Sequence, residues 1–308
     1  MSAKSRGELM LFLITFIWGS TFVTGKLVLA QVSPLQMMVI RFGLSSIVFL
    51  GIGRGRMFPI AWRSVAKAAF LGLLLFLGFI AQTIGLQWTT ASKSAFITGM
   101  MVVLVPILQV LVERKSPKIG NIVGILIVAA GLWSLTSPRG GTFNAGDALT
   151  LLCAVFFTGY IVYLDMISPE MTALQLTFVH VGVAGLLSLI SLLLFDSVKI
   201  SLDTRGIGLI LYLTLFSTVL TTLVQTRFQK ETTPTRAAII FTIEPVVAAL
   251  LAYAILHDEL GVAGVAGGVL IVAGVLVSEL SDGIPGLNRP VLRQGGLQEV
   301  SSSTIEHE

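Results

Sequence analysis

Charge is what this chain has least of. Only 12% of its 308 residues are Asp, Glu, Lys or Arg, where a soluble domain carries about 25%. That is too little polar surface to clothe a soluble globule, which excludes a soluble enzyme or nucleic-acid binder. Cysteine is almost absent as well. The lone Cys153 lies in an apolar run, so neither a disulfide framework nor a thiolate metal site can form. Of three histidines, His307 sits near the end of the chain and His180 and His257 are far apart. No HExxH, Gly-rich phosphate loop or Gly-x-Ser-x-Gly elbow occurs, so a metal-dependent intramembrane hydrolase finds little support and no ATP-driven pump is encoded. No cofactor is expected.

What is there is apolar. Hydrophobic residues make up 55% and the mean hydropathy is +0.92. A helix needs about 20 apolar residues to cross a bilayer, and ten such segments are expected, at 8–29, 34–51, 65–87, 92–112, 117–136, 145–164, 172–195, 205–229, 233–256 and 261–280. Lys4 and Arg6 precede the first without a cleavage site before Trp18, so it reads as an uncleaved span. A polar tail, 281–308, is expected to be disordered. The net charge of +4 reflects short basic clusters between spans, which reads as topology and not as nucleic-acid binding. Lys4, Arg6, Arg54, Arg56, Arg63, Lys67, Arg114, Lys115, Lys118, Arg227, Lys230, Arg236, Arg289 and Arg293 fall on one side; Arg139, Lys199 and Arg205 fall on the other. The positive-inside rule then places both termini in the cytoplasm.

The chain also repeats itself. Thr89-Thr90-Ala91-Ser92-Lys93-Ser94-Ala95 is echoed 143 positions on by Thr232-Thr233-Pro234-Thr235-Arg236-Ala237-Ala238, and Gly124–Gly131 by Gly267–Gly274. Gly7-Glu8 returns as Gly146-Asp147, 139 positions on. Two copies of five spans, 1–140 and 141–280, must enter the membrane from opposite sides. The expected fold class is an all-α integral membrane protein of ten transmembrane helices in two inverted five-helix repeats, an architecture suited to alternating access around a shared site. Pro106 and Pro245 each remove a backbone hydrogen bond, to Val102 and Phe241, and should kink their helices.

Trp18-Gly19-Ser20-Thr21-Phe22-Val23-Thr24-Gly25-Lys26 followed by Arg41-Phe42, and Glu244-Pro245-Val246-Val247-Ala248-Ala249-Leu250-Leu251-Ala252 with Glu259-Leu260 closing that helix, resemble EamA-type members of the drug/metabolite transporter superfamily. The resemblance runs from about Gly7 to Leu280. It implies a ten-helix carrier of small metabolites, mostly an exporter, with a central cavity lined by the first four helices of each repeat. The first half departs from the second: 95–106 holds no acidic residue, which leaves Glu244 without a repeat partner.

Glu244 lies eleven residues into its span, about 16 Å deep at 1.5 Å per residue. An ionised carboxylate there is costly; it must take a proton, pair with a cation, face a wet cavity or hydrogen-bond its neighbours. Arg41, about 10 Å deep, suits either a substrate carboxylate or a structural role. Lys26, nearer the boundary, reads as snorkelling. His180 at mid-span reads as a relay or as packing, and Trp18 as cavity wall or core. Thr214, Thr218, Thr221, Thr222 and Gln225 form one polar stripe that must face protein or water. Gln82 and Gln109 read as packing. Glycines four apart at Gly120/Gly124 and Gly264/Gly268 allow close helix approach, within a subunit or in a dimer.

The candidate substrate-binding or coupling residues are therefore Glu244, Arg41, Trp18, His180, Thr218, Thr222 and Gln225. The expected activity is secondary active transport by alternating access, exporting an amino acid or related amphiphile across the bacterial inner membrane, with protons as the candidate coupling ion. A lipid-modifying membrane enzyme and a passive channel are the alternatives. The expected partners are the lipid bilayer and a small-molecule substrate, with no nucleic acid, in a monomer or homodimer.

Overall fold

The computed structural model describes residues 2–53, 58–114, 116–136, 143–258 and 262–291. Arg54, Arg56, Lys115, Arg139, Glu259-Leu260, Arg293, His307 and the tail beyond 291 lie outside them. The described residues are helical, with no named strand. That follows from the solvent: in hydrocarbon, a helix is the way a single segment satisfies its own backbone polar groups.

Thirteen α-helices are described: α1 Ala3–Leu29, α2 Pro34–Gly53, α3 Trp62–Trp88, α4 Ala91–Gly99, α5 Met101–Glu113, α6 Ile119–Thr136, α7 Ala145–Ile167, α8 Ala173–Phe195, α9 Thr204–Thr214, α10 Thr221–Phe228, α11 Pro234–Phe241, α12 Ile243–Leu251 and α13 Val262–Leu280. Several are segments of one rod. α4 and α5 join at Met100, and α11 and α12 join at Thr242. α9 runs through a π-helical stretch, Leu215–Leu220, into α10. Counted as continuous rods, eight are long and apolar enough to cross a membrane, and the shorter apolar stretches Ile119–Ser134 and Val265–Ser278 join them. Large apolar side chains such as Trp133, Leu194, Phe195 and Leu111 point outward, as a lipid-facing surface requires. The chain is a multi-pass membrane protein.

The starts of the helices are written in the sequence. Thr90, Thr172, Asp203 and Thr233 cap α4, α8, α9 and α11, each accepting the N–H three residues on. Asn144 and Asp147 form a reciprocal capping box on α7, which satisfies donors that a helix start leaves free.

Packing depends on glycine where backbones meet. α6 lies along α13, where a methyl on Gly124 would come within 2.8 Å of the Gly274 carbonyl, and one on Gly274 within 2.8 Å of the Gly124 carbonyl. The Gly120/Gly124 face is thus spent inside one chain. α3 packs on α7 and α8, α2 on α8 and α9, and α1 on α12, α10 and α9. Gly19 lets α1 approach α12, because a methyl there would lie 2.6 Å from Val247 Cβ.

Two sequence expectations are corrected. The second break falls at Thr242, next to the carbonyl freed by Pro245, but the first falls at Met100, six residues before Pro106. Gly99 precedes it and lies against Pro245, with a virtual Cβ 3.1 Å from its Cγ. The glycine, with its weak helix propensity, sets the break, and the two broken rods touch there. The tail is the second correction, since 281–291 is ordered. A 3-10 turn, Ser281–Gly283, follows α13, and the Leu287 and Arg289 carbonyls then accept from Gly120 and Ile119 N–H at 3.0 and 2.9 Å. Those N–H groups open α6, where a helix has no internal acceptors, so the polar segment is held by the helix end it completes.

Candidate functional site

The two breaks converge on a central cavity of about 60 Å³. α1 supplies Trp18, Thr21 and Phe22, α2 Arg41, and α3 Leu75, Phe79 and Gln82. Thr98 and Met101 flank the first break; Phe241 and Glu244 flank the second. α7 adds Phe157, Tyr160 and Ile161, and α10 adds Thr222 and Gln225. Both halves of the chain contribute.

Glu244 sits in the first turn of α12, just after the break. A half-helix N-terminus carries partial positive charge and favours an anion, which gives a physical reason for a carboxylate there. It is 7% exposed, faces the cavity, and makes no hydrogen bond or ion pair with any described residue. The expected bond to neighbouring helices or freed backbone is not formed.

Arg41 is arranged oppositely. Its Nε donates to Thr218 Oγ1 at 2.6 Å and its Nη2 to Ser217 Oγ at 2.7 Å and Ser217 O at 3.3 Å. The guanidinium lies over Phe79 at 4.4 Å and near Phe42 at 5.6 Å. A cation 3% exposed is therefore held by neutral dipoles and ring faces, with no salt bridge to a described residue. The π-helical stretch makes this grip available. Thr218 Oγ1 donates five residues back, to Leu213 O, and the Ser217 carbonyl also accepts from Trp18 Nε1 at 3.3 Å and Thr221 Oγ1 at 2.6 Å. Trp18 is then fixed edge-on against Phe241, 5.2 Å between centroids.

Of the sequence candidates, Trp18, Arg41, Thr222, Gln225 and Glu244 meet on the wall. Thr218 stands behind Arg41 as its partner. His180 is also behind the wall: fully buried, it bonds the Leu176 carbonyl through Nδ1 at 2.7 Å and Tyr160 Oη through Nε2 at 3.3 Å. Lys26 is half-buried, and its Nζ donates to the Leu86 and Thr89 carbonyls at the end of α3. Gln82, read as packing, faces the cavity and donates to Thr98 at 3.3 Å. Phe79, Phe157 and Tyr160 also line the wall, and the sequence does not mark them, since an aromatic in an apolar span carries no sign of which way it faces. Among the described residues, no cluster of three His, Cys, Asp or Glu could hold a metal ion.

The EamA-like transporter family model matches residues 5–137 and again 144–280. An "uncharacterized transporter" of Archaeoglobus fulgidus is 32% identical over 273 residues, covering 89% of this chain and 85% of that protein. The "uncharacterized transporter YyaM" of Bacillus subtilis is 26% identical, covering 91% of this chain and 95% of its own. One crystal structure superposes with a TM-score of 0.74 at 15% identity, covering 89% of this chain and 98% of that one, a likeness of fold. The chain belongs to the EamA-like transporter family.

Proposed function

We propose that this member of the EamA-like transporter family is a secondary active carrier that exports a small amphiphilic metabolite, of the size and polarity of an amino acid, by alternating access in the bacterial inner membrane. The observation that carries the reading is Glu244: an unpaired carboxylate at a half-helix N-terminus, facing a cavity shared by both halves. Such a group can exchange a proton for a substrate amine, which makes proton antiport the coupling. Aromatic walls and the hydroxyls and amides of Thr98, Thr222, Gln82 and Gln225 suit the body and polar groups of an amphiphile. Arg41 contributes positive potential and shape, since three of its contacts are already made.

The ten-helix inverted-repeat reading is supported by how contacts pair. If the first five rods exchange with the second five, α1 on α12 becomes α7 on α5, α1 on α11 becomes α7 on α4, α3 on α7 becomes α10 on α1, and α6 on α13 maps onto itself; all of these contacts occur. The cytoplasmic placement of both termini follows from the basic clusters. A cavity of about 60 Å³ holds a few waters and falls below the ~300–1,000 Å³ of small-molecule pockets, so the halves must part to load.

The test is purified protein in liposomes with an internal pH dye, challenged with amino acids and related amines. Substrate-dependent proton movement against a protein-free control is expected. A screen across those classes with no movement, and no counterflow of any of them, contradicts the reading.

A further inference from the structure

The Gly-acid and Thr-base segments that repeat in the sequence find each other across the two halves, at opposite ends of the molecule. At the end that holds the N-terminus, Glu8 accepts from Arg236 Nη1 at 2.7 Å and from Thr232 Oγ1 at 3.1 Å. At the other end, Asp147 accepts from Lys93 Nζ at 2.5 Å and from Thr89 Oγ1 at 2.7 Å. Thr89 and Lys93 correspond to Thr232 and Arg236 at the 143-residue offset, as Glu8 does to Asp147 at 139. Every one of these bonds joins one half to the other.

The glycine before each acid completes the match. A methyl on Gly7 would lie 2.8 Å from Glu231 Cβ and 3.0 Å from the Phe228 carbonyl; one on Gly146 would lie 2.9 Å from Trp88 Cβ and 2.6 Å from the Gly85 carbonyl. Positions 228 and 231 are the 143-residue counterparts of 85 and 88. Each glycine lets the start of one half's first helix close on the end of the other half's third helix, where the acid reaches its partners.

The cations stand at matched distances from the cavity. Lys93 is five residues before Thr98 and Arg236 five before Phe241, both on the cavity wall, so each lies about 7.5 Å along a short half-helix from it. One partner of each pair is withdrawn from water, Arg236 at 3% exposed and Asp147 fully buried, while the Glu8 and Lys93 side chains keep 14% and 26% exposure. Arg236 also lines the floor of an open vestibule of about 750 Å³ at its end. Its Nη2 bonds the Ser278 carbonyl at 3.0 Å.

We propose that Glu8–Thr232–Arg236 and Asp147–Thr89–Lys93 are the two gates of the transport cycle. This rests on the carrier reading above. Because each latch crosses between the halves, the halves cannot part at one end without breaking that end's latch, while the intact latch at the other end keeps the cavity closed there. Both latches are made in this structure. An ion pair with one buried partner is a suitable device, since the buried charge left alone is strongly disfavoured and the gate therefore has two discrete states.

The test reads each gate without substrate. In a Cys153→Ala background, single reporters Thr98→Cys or Phe241→Cys are introduced into the full chain in nanodiscs, and labelling by a soluble maleimide is timed. Asp147→Asn and Lys93→Gln are expected to speed labelling at 98 at least tenfold more than at 241. Glu8→Gln should do the reverse, and the exchange Glu8→Arg with Arg236→Glu should bring the rate back toward its starting value. Thr89→Val and Thr232→Val, milder changes, keep the comparison available if an ionic variant does not fold. Equal acceleration at both reporters, or none at either, overturns the gate assignment. Since no flux is measured, that result is distinct from failure of the carrier reading, which substrate-driven proton movement decides.

Discussion

Two buried ionisable residues, Glu244 and Arg41, face one cavity with opposite commitments. The Arg41 guanidinium uses two nitrogens at once, on Thr218 and Ser217. Lysine offers a point charge and no fork, so Arg41→Lys should lose at least one charge-assisted hydrogen bond, about 1.5–3 kcal/mol, seen as a lower thermal midpoint in detergent. His180 marks the limit of the site. Its imidazole is satisfied by Leu176 and Tyr160 behind the wall, so His180→Phe should destabilise by about 1–3 kcal/mol for groups left without a partner and leave the proton-to-substrate ratio unchanged. A changed ratio would put His180 in the coupling path. The sequence could not separate these cases. Depth in a span made Glu244, Arg41 and His180 all candidates, and only side-chain direction tells a free carboxylate from a satisfied imidazole.

At the scale of the helix, the breaks matter more than the lengths. Pro245 was legible as a breaker, and the break beside it puts Glu244 at a helix start. The partner break at Gly99-Met100 was misplaced onto Pro106, because proline is the more conspicuous signal. The π-helical stretch at 215–220 was not legible at all: nothing in Leu215-Phe216-Ser217-Thr218-Val219-Leu220 announces an extra residue in the turn, yet it presents the Ser217 carbonyl to three side chains. Pro245→Ala restores the backbone bond to Phe241 and should straighten the rod, turning Glu244 away from the cavity. Substrate-driven flux is expected to fall at least tenfold while helix content by circular dichroism is kept; undiminished flux would detach the break from function. The glycine face of α6 gives a stability prediction. Gly124→Val places a side chain against the Gly274 carbonyl and Ser278, and overpacking of that kind costs about 1–3 kcal/mol, measurable as a lower midpoint.

At the scale of the whole molecule, the apolar spans and the internal echo were readable because both are one-dimensional: a run of apolar residues about as long as a bilayer is thick, and a spacing. The echo also named the residues that meet across the halves, Glu8 with Arg236 and Lys93 with Asp147, without revealing that they meet. Pairing between halves is a fact of three dimensions, as is the choice of wall residues among many apolar aromatics. The first residues of the 281–308 segment illustrate the same point. Its composition reads as a tail, yet residues up to 291 find the open N–H groups of α6 and become ordered.

The central claim is that Glu244 couples proton movement to substrate movement in the cavity between the halves. It is tested most directly by measuring proton and substrate fluxes together in liposomes, for the protein and for Glu244→Gln. The account predicts that the glutamine variant abolishes substrate-driven proton movement and uphill accumulation. Coupled proton movement that survives undiminished in the variant would contradict it and remove Glu244 from the coupling site.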